Sequence, residues 1–277
     1  MDARIAGWVI PIATAALLWS SADLLAAQPE GVDTTPPLAG PSVDQKYSQS
    51  LARSDMQGRF IKLDVRPEEA ALRVMVLDPE TRERAQGVIA DRAARLRRHL
   101  VDQIDLIKTS NDETIAGDAN AKQRLAKQLY ETFEPGHLRD PLAGPLAAVL
   151  TPEKHAEMMR LVDDYWEAWI DAEVKASPKT KREAMEERLS FRQFQIELGA
   201  AYESTLRPFQ QKLDAICEVV EATPEQRQRI RTAVIRYIRD ASLNPTDAQR
   251  QELAEAVYSA LEESQRVKLF AAALSRL

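Results

Sequence analysis

Apolar residues recur at helical spacing over most of the chain beyond Pro67. Counting from the prolines at 79, 152 and 224, apolar side chains return near the sixth, ninth, tenth, fourteenth and seventeenth following positions. Intervals of three and four residues place these side chains on one face of a helix. The prolines are 73 and then 72 residues apart. The pattern reflects either a degenerate triplication or repeated use of one helix design.

Helix starts are marked by a capping residue followed by proline, as in Asp78-Pro79, Thr151-Pro152 and Thr223-Pro224. The cap oxygen accepts an N–H of the first turn, and proline at the first helical position loses no hydrogen bond. Pro208 is expected to kink or split a helix, and the last helix is expected to break near Glu262. Helices are predicted over Pro67–Val76, Pro79–Lys108, Ala119–Phe133, Pro152–Lys175, Pro178–Ala222, Pro224–Ala241 and Pro245–Leu274.

The segments between and before these helices divide the chain. Residues 28–57 are rich in proline and small polar residues, which predicts a disordered linker. Ile61, Leu63 and Val65 alternate, but no second strand is evident, so they are interpreted as an extended lead-in. Residues 134–149 form the main non-helical connection. The sequence therefore predicts an all-α bundle of amphipathic helices, with an N-terminal half (67–175) and a C-terminal half (178–277) that either pack as one domain or stay apart.

The amino terminus has the pattern of an export signal. Residues 8–19 form an apolar run of a dozen residues, and small residues follow at 20–22 and 26–27. A bilayer span needs about 20 apolar residues, so a secretory signal peptide over residues 1–27 is predicted, with an uncleaved signal anchor as the alternative. The protein is expected outside the cytoplasm, in the periplasm or its equivalent, and in contact with membrane only through an uncleaved signal segment.

Charge and cysteine content exclude several classes of protein. The net charge of −6 and the pI of about 5.4 argue against a nucleic-acid partner, which requires a basic surface. Cys217 is the single cysteine, so an internal disulfide or a four-cysteine metal site is impossible. It lies in an apolar run and is interpreted as a small buried hydrophobe.

One helix carries two candidate sites on opposite faces. Asp163, Glu167 and Asp171 recur every four residues, so they are either a solvated acidic face or a site for a hard cation such as Ca²⁺. The aromatic residues of the same helix belong either to the core or to a ligand groove. These residues are Tyr165, Trp166 and Trp169.

The other candidate sites have less support in the sequence. Of the three histidines, His137 stands three residues after Glu134, the spacing of a di-iron motif, but Pro135-Gly136 prevents the helix that such a motif needs. The basic run at residues 92–98 is flanked by aspartates and is interpreted as a solvated helix face. No phosphate loop, nucleophile elbow or zinc motif occurs in the sequence. No catalytic residue and no cofactor are predicted.

Short segments resemble the periplasmic Leu-Thr-x-x-Gln family of small helical stress proteins. Leu150-Thr151-Pro152-Glu153-Lys154 and Ala222-Thr223-Pro224-Glu225-Gln226 each depart from the motif at one end. Leu261-Glu262-Glu263-Ser264-Gln265 keeps Leu and Gln, and Leu77-Asp78-Pro79-Glu80-Thr81 keeps only Leu. The general layout is also similar to that of uncharacterised exported bacterial helical proteins. The resemblance implies an exported helical protein.

Three functional hypotheses follow. The first is a non-enzymatic binding or scaffolding protein of the cell envelope, of which a chaperone is one form. This function requires an exposed apolar or aromatic surface. The second is a metal-binding or metal-sensing module that uses Asp163, Glu167 and Asp171, with His155 as a further ligand. The third is an enzyme without a known motif, in which a pocket would gather His99, His137 or His155 with carboxylates. A protein partner in the envelope is expected, and a homodimer is compatible with the long amphipathic helices.

Overall fold

The structure is a computed structural model that describes residues 49–136, 138–241 and 244–274. In this part of the chain eleven helices and one two-stranded sheet are present, which confirms the all-α bundle. No described helix is both long and apolar enough to span a bilayer. The predicted signal and most of the predicted linker lie outside the described residues. The elements are β1 (Arg53–Ser54), β2 (Phe60–Ile61), α1 (Pro67–Val74), α2 (Pro79–Asp102), α3 (Ile104–Ile115), α4 (Ala121–Phe133), α5 (Ala143–Ala147), α6 (Pro152–Ala176), α7 (Arg182–Thr205), α8 (Arg207–Val219), α9 (Pro224–Ala241), α10 (Asp247–Ser259) and α11 (Glu263–Leu274).

Four of the six helix starts predicted at a proline are found there, whereas the helices predicted from Pro178 and Pro245 begin at Arg182 and Asp247. Helices α1, α2, α6 and α9 begin at the predicted prolines, and Thr151 Oγ1 accepts the Lys154 N–H at 3.3 Å. The predicted breaks near Pro208 and Glu262 occur, the first between α7 and α8 and the second between α10 and α11. Other boundaries also differ from the prediction: the helix from Pro79 ends at Asp102 and a further helix starts at Ile104. The connection 134–149, predicted to be non-helical, contains the short helix α5.

The lead-in before α1 is a strand with a partner, which corrects the prediction that none exists. Ser54 pairs with Phe60 in an antiparallel ladder. The turn between them is held by Asp55, whose Oδ1 atom accepts the backbone N–H groups of Gln57 and Arg59 at 2.9 and 2.8 Å. Gly58 has φ of +76°, a conformation that favours glycine.

The described residues divide into two compact units. The N-terminal unit comprises residues 49–99 and 107–201, and the C-terminal unit comprises residues 100–106 and 202–274. The division falls inside α7, whereas the sequence had placed it at 176–177. The reason is that Met185, Leu189 and Phe194 of α7 are buried, the first two of them in the core of the N-terminal unit.

Each unit has its own apolar core. In the N-terminal unit, α6 packs against α1, α5 and β2, with Trp166 and Trp169 among its largest buried side chains. In the C-terminal unit, α9 packs against α8 and α10, and α11 packs against α8. Ile230 and Val234 of α9 are buried there, as predicted from the apolar face of that helix.

Candidate functional site

The acidic residues on the exposed face of α6 are paired with arginines. Asp163 Oδ1 lies 2.5 Å from Arg139 Nη2, and Arg182 contacts both Glu167 and Asp171, the latter at 2.6 Å. Across the described residues, no three His, Cys, Asp or Glu side chains are grouped so as to hold a metal ion. In this structure the three carboxylates are engaged by arginines, and a cation site formed by them stays a prediction. Guanidinium groups supply the positive charge that the metal would have supplied.

The aromatic residues of α6 form core and leave no groove. Tyr165, Trp166 and Trp169 are each fully buried, and the two indole rings stack with centroids 5.4 Å apart. Tyr165 Oη accepts the Leu63 N–H at 3.1 Å, and Trp166 Nε1 donates to Asp140 Oδ1 at 2.8 Å. The polar end of each ring is satisfied inside the protein, as is usual for buried Tyr and Trp. The groove hypothesis for these three side chains is therefore wrong.

The histidines do not converge on a described carboxylate cluster. His99 Nε2 lies 3.2 Å from Thr132 Oγ1, and its ring contacts Phe133. His155 Nε2 lies 3.0 Å from the Ala143 carbonyl oxygen, which gives that side chain a structural partner between α6 and α5. His137 lies outside the described residues.

The strongest concentration of ionisable groups is a cluster that the sequence did not predict. Each member has at most 14% of its side chain exposed. The members come from four different helices or their ends within the N-terminal unit. We call this set the buried ion-pair cluster: it consists of Arg66 before α1, Glu68 in α1, Arg92 in α2, Glu134 after α4 and Glu197 in α7.

Glu197 is the centre of the cluster because it joins both arginines. Its Oε1 atom accepts from Arg66 Nη1, and its Oε2 atom accepts from Arg92 Nε at 2.8 Å. Arg92 also makes a bidentate contact with Glu134, to which its Nη1 and Nη2 atoms donate at 3.3 and 3.1 Å. Arg66 Nε donates to Glu68 Oε2 at 3.2 Å. Paired, hydrogen-bonded charges of this kind are strong geometric constraints even where their net stabilisation is small.

Backbone groups complete the cluster. Arg66 Nη2 donates to the Arg139 carbonyl oxygen at 2.6 Å, and the Leu142 N–H donates to Glu68 Oε1 at 3.3 Å. Gln193 Nε2 donates to the carbonyl oxygen of Val65 at 3.1 Å. These contacts tie the start of α1 to segment 139–142 and to α7. The cluster therefore fixes how elements distant in sequence meet.

Burial and charge shift the ionisation of two members. Burial of the Glu68 carboxyl raises its pKa, and this outweighs the opposing effect of Arg66. Burial disfavours the charged form of Arg66, but Glu68 and Glu197 more than offset it, so the pKa of Arg66 is raised. Arg66 is thus held positive, while burial favours the protonated form of Glu68.

The sequence contained no signal that would have assembled this cluster. Arg66 and Glu197 are separated by 131 positions. Arg92 belonged to a run interpreted as a solvated basic face, and the structure corrects that reading for Arg92, which is 5% exposed and packs over the Phe133 ring at 5.4 Å. Glu134 had been singled out only for its spacing from His137.

A second buried polar contact lies in the C-terminal unit. Gln226 Nε2 donates to Gln265 Oε1 at 2.7 Å, and Gln265 Nε2 donates back to Gln226 Oε1 at 3.0 Å. Each glutamine oxygen also accepts the backbone N–H at its own helix start, from Thr223 at 3.0 Å and from Glu262 at 2.9 Å. The two helix starts of α9 and α11 are therefore joined through their capping glutamines. These are the last residues of two of the Leu-Thr-x-x-Gln-like segments.

Cys217 is a core residue, as interpreted from its apolar neighbours. It is 1% exposed, and burial raises the pKa of its thiol. A raised pKa keeps the thiol protonated at neutral pH, whereas a nucleophilic cysteine needs its thiolate. Cys217 is therefore an unreactive packing residue in α8.

The solvent face of α11 carries apolar side chains. Val267 is 65% exposed and Phe270 is 39% exposed, while Leu269 on the opposite face is buried. Ala271, also exposed, extends the same face. We call Val267, Phe270 and Ala271 the apolar row. Spacings of three and four residues place these side chains side by side along the helix.

Comparison with models of known protein families, with curated proteins and with solved structures finds no match for this chain.

Proposed function

We propose that this protein is a non-enzymatic, chaperone-like binding protein of the cell envelope, and that it holds short apolar segments of unfolded exported proteins on the apolar row of α11. The observation that carries this proposal is the exposure of Val267 and Phe270 together on one helical face. Isolated exposed apolar residues are common, but here three stand together at the spacing by which one helix face makes apolar contacts with a partner.

The size of the row favours a transient partner over a second copy of the chain. A stable interface buries about 800 Å² on each side and involves roughly 20–30 residues. The apolar row has three residues. Such a surface suits weak and reversible contact with a short apolar segment, as in a holding chaperone, and is too small by itself to maintain a dimer.

Export supports the choice of partner. The apolar run at residues 8–19, followed by small residues, is typical of a secretory signal. Unfolded proteins that arrive in the same compartment expose apolar segments before they fold. Sequencing the amino terminus of the protein recovered from outside the cytoplasm tests this part, and the proposal expects a chain that begins after Ala22 or after Ala27. A chain that retains residues 1–27 and stays membrane-bound would indicate the signal anchor.

Binding to the apolar row is tested by light scattering from aggregating, reduced α-lactalbumin. Both proteins are acidic, so charge attraction does not contribute to binding. The full mature protein is expected to slow its aggregation, and the Val267→Ser/Phe270→Ser variant is expected to lose most of that effect. Ile115→Ser is the matched control, because Ile115 is 80% exposed in the other unit. Equal protection by the wild type and the row variant would overturn the proposal.

Self-association is the competing outcome. Sedimentation velocity of the wild type and the row variant separates the two cases. A monomer in both, with protection lost in the variant, supports the proposal. A wild-type dimer that the row substitutions dissociate would assign the row to a second copy and contradict the transient-partner proposal.

A further inference from the structure

The three carboxyls of the buried ion-pair cluster do not accept the same number of guanidinium N–H groups. Arg66 uses all three of its nitrogens and Arg92 uses all three of its own. Glu134 and Glu197 each accept two guanidinium N–H groups. Glu68 accepts one, at 3.2 Å, and its other hydrogen bonds are with backbone N–H groups, its own and that of Leu142 at 3.3 Å. Glu68 thus has the fewest guanidinium contacts of the three carboxyls.

The charges of the cluster do not balance. Two guanidinium groups face three carboxyls, so one negative charge is left over if all three are ionised. Arg139 does not offset this excess charge. It lies 2.6 Å from the neighbouring Asp140 and also pairs with Asp163 and Glu186. Glu68 has no exposed surface, so water cannot stabilise an excess charge there.

We infer that Glu68 is a proton-binding site: it is a neutral acid when α1 is attached to segment 139–142, and loss of its proton loosens that attachment. We call the attached arrangement the closed form of the N-terminal unit. The closed unit with Glu68 protonated has balanced charges. Deprotonation leaves the cluster with one negative charge in excess, on a carboxylate next to Asp140 in the interior. Access of water to Glu68 would relieve this excess, and it requires the Glu68–Leu142 and Arg66–Arg139 hydrogen bonds to open.

The direction of the pH response follows from burial. The pKa of Glu68 is raised in the folded state, chiefly by burial. A group with a raised folded pKa contributes stability that is present below its unfolded pKa and is lost as the pH rises through its folded pKa. The closed form is therefore favoured by mild acid and weakened toward higher pH.

Among the described residues, Arg66 and Asp140 are the charged groups that act on Glu68 directly. Glu134 and Glu197 act on Arg66 and are joined to each other by Arg92, while Arg139 pairs with Asp140. Helix α6, which packs against α1, contributes the neutral Trp166 indole, and that donates to Asp140. None of these groups supplies the missing second cation for Glu68. This inference concerns the N-terminal unit and is independent of the apolar row.

The test is a pH titration of the full mature protein, with its glutamate carboxyl carbons labelled with ¹³C and followed by NMR. One carboxyl is expected to titrate well above the ordinary value of about 4.3, and its signal is expected to be absent in Glu68→Gln. The amide of Leu142 is expected to shift with the same midpoint and to exchange faster with solvent above it. Glu69→Gln, which alters the partly exposed partner of Arg73, is the control and should leave both titrations unchanged.

Two results would overturn the inference. One is a titration of every glutamate in its ordinary range. The other is an elevated titration of Glu68 to which the Leu142 amide does not respond, since the attachment to segment 139–142 would then be insensitive to the proton. The Leu142 measurement is made on the wild type and so remains decisive even if Glu68→Gln does not fold.

Discussion

Gln226 and Gln265 donate to each other's side-chain oxygens at 2.7 and 3.0 Å, and so join the starts of α9 and α11. Removing one takes away both hydrogen bonds between the two buried amides, although the oxygen of the remaining glutamine keeps its backbone N–H, and this loss costs about 1–3 kcal/mol. Gln226→Ala and Gln265→Ala are each expected to lower the free energy of unfolding by that amount.

The double variant Gln226→Ala/Gln265→Ala is expected to lose less than the sum of the two single variants, since residues that share hydrogen bonds couple by about 0.5–3 kcal/mol. Urea unfolding followed by circular dichroism measures all three. Gln228→Ala, at an exposed position of α9, is the control. Strict additivity would mean that the two glutamines act independently.

Arg66→Met is expected to destabilise the N-terminal unit severely. The substitution removes one of the two cations that pair with the largely buried Glu197 and leaves the Arg139 carbonyl without its donor, and breaking a buried pair in this way costs about 3–5 kcal/mol. Arg73→Met removes a mostly exposed partner of Glu69 and is expected to cost about 1 kcal/mol or less. Thermal unfolding of both variants compares them, and equal midpoints would contradict the assigned role of Arg66.

Trp166 and Trp169 are expected to be inaccessible to dissolved quenchers. In a chain with Trp8→Phe and Trp19→Phe, iodide should hardly reduce the indole fluorescence, because both remaining rings are fully buried. Unfolding in urea should restore quenching. Efficient quenching of the folded protein would mean that these side chains line an open groove, as the sequence allowed.

Tyr165 is expected to make the N-terminal unit sensitive to alkali. Burial raises the pKa of Tyr165 to about 12. The unfolded chain releases this proton near pH 10, so stability due to the protonated phenol is present below pH 10 and is lost as the pH rises toward 12. Tyr165→Phe should flatten the decline in stability between pH 10 and 12.

At neutral pH the same variant should be less stable by about 1 kcal/mol, since the Leu63 N–H loses its acceptor. Unfolding curves of the wild type and Tyr165→Phe at a series of pH values measure both effects. Parallel loss of stability in the two proteins above pH 10 would contradict the assignment to Tyr165.

The sequence predicted the helices because their signals are local. A capping residue, a proline and an apolar period, as in Thr223 to Val234, are all contained in one segment. The strand pair 53–54 with 60–61 was missed because two-residue strands have no measurable period, although Gly58 was a signal for the turn. The buried ion-pair cluster depends on contacts such as Arg66 with Glu197, and nothing local links those positions.

The faces of α6 show the same limit. Spacing placed Asp163, Glu167 and Asp171 on one face and the aromatic residues on the other, but two interpretations fitted each face. Only the positions of Arg139 and Arg182, which come from elsewhere in the chain, decide the acidic face. Only the packing of α1 and β2 decides the aromatic one.

The measurement that tests the proposed binding surface most directly is fluorescence anisotropy of a labelled, uncharged apolar peptide titrated with the mature protein. Burial of a Val or Phe side chain contributes about 1.5–3 kcal/mol, so Val267→Ser/Phe270→Ser should weaken binding at least roughly tenfold. Ile115→Ser should leave the affinity unchanged. Unaltered affinity in the row variant, or no binding by the wild type, would contradict the proposal that α11 holds apolar segments.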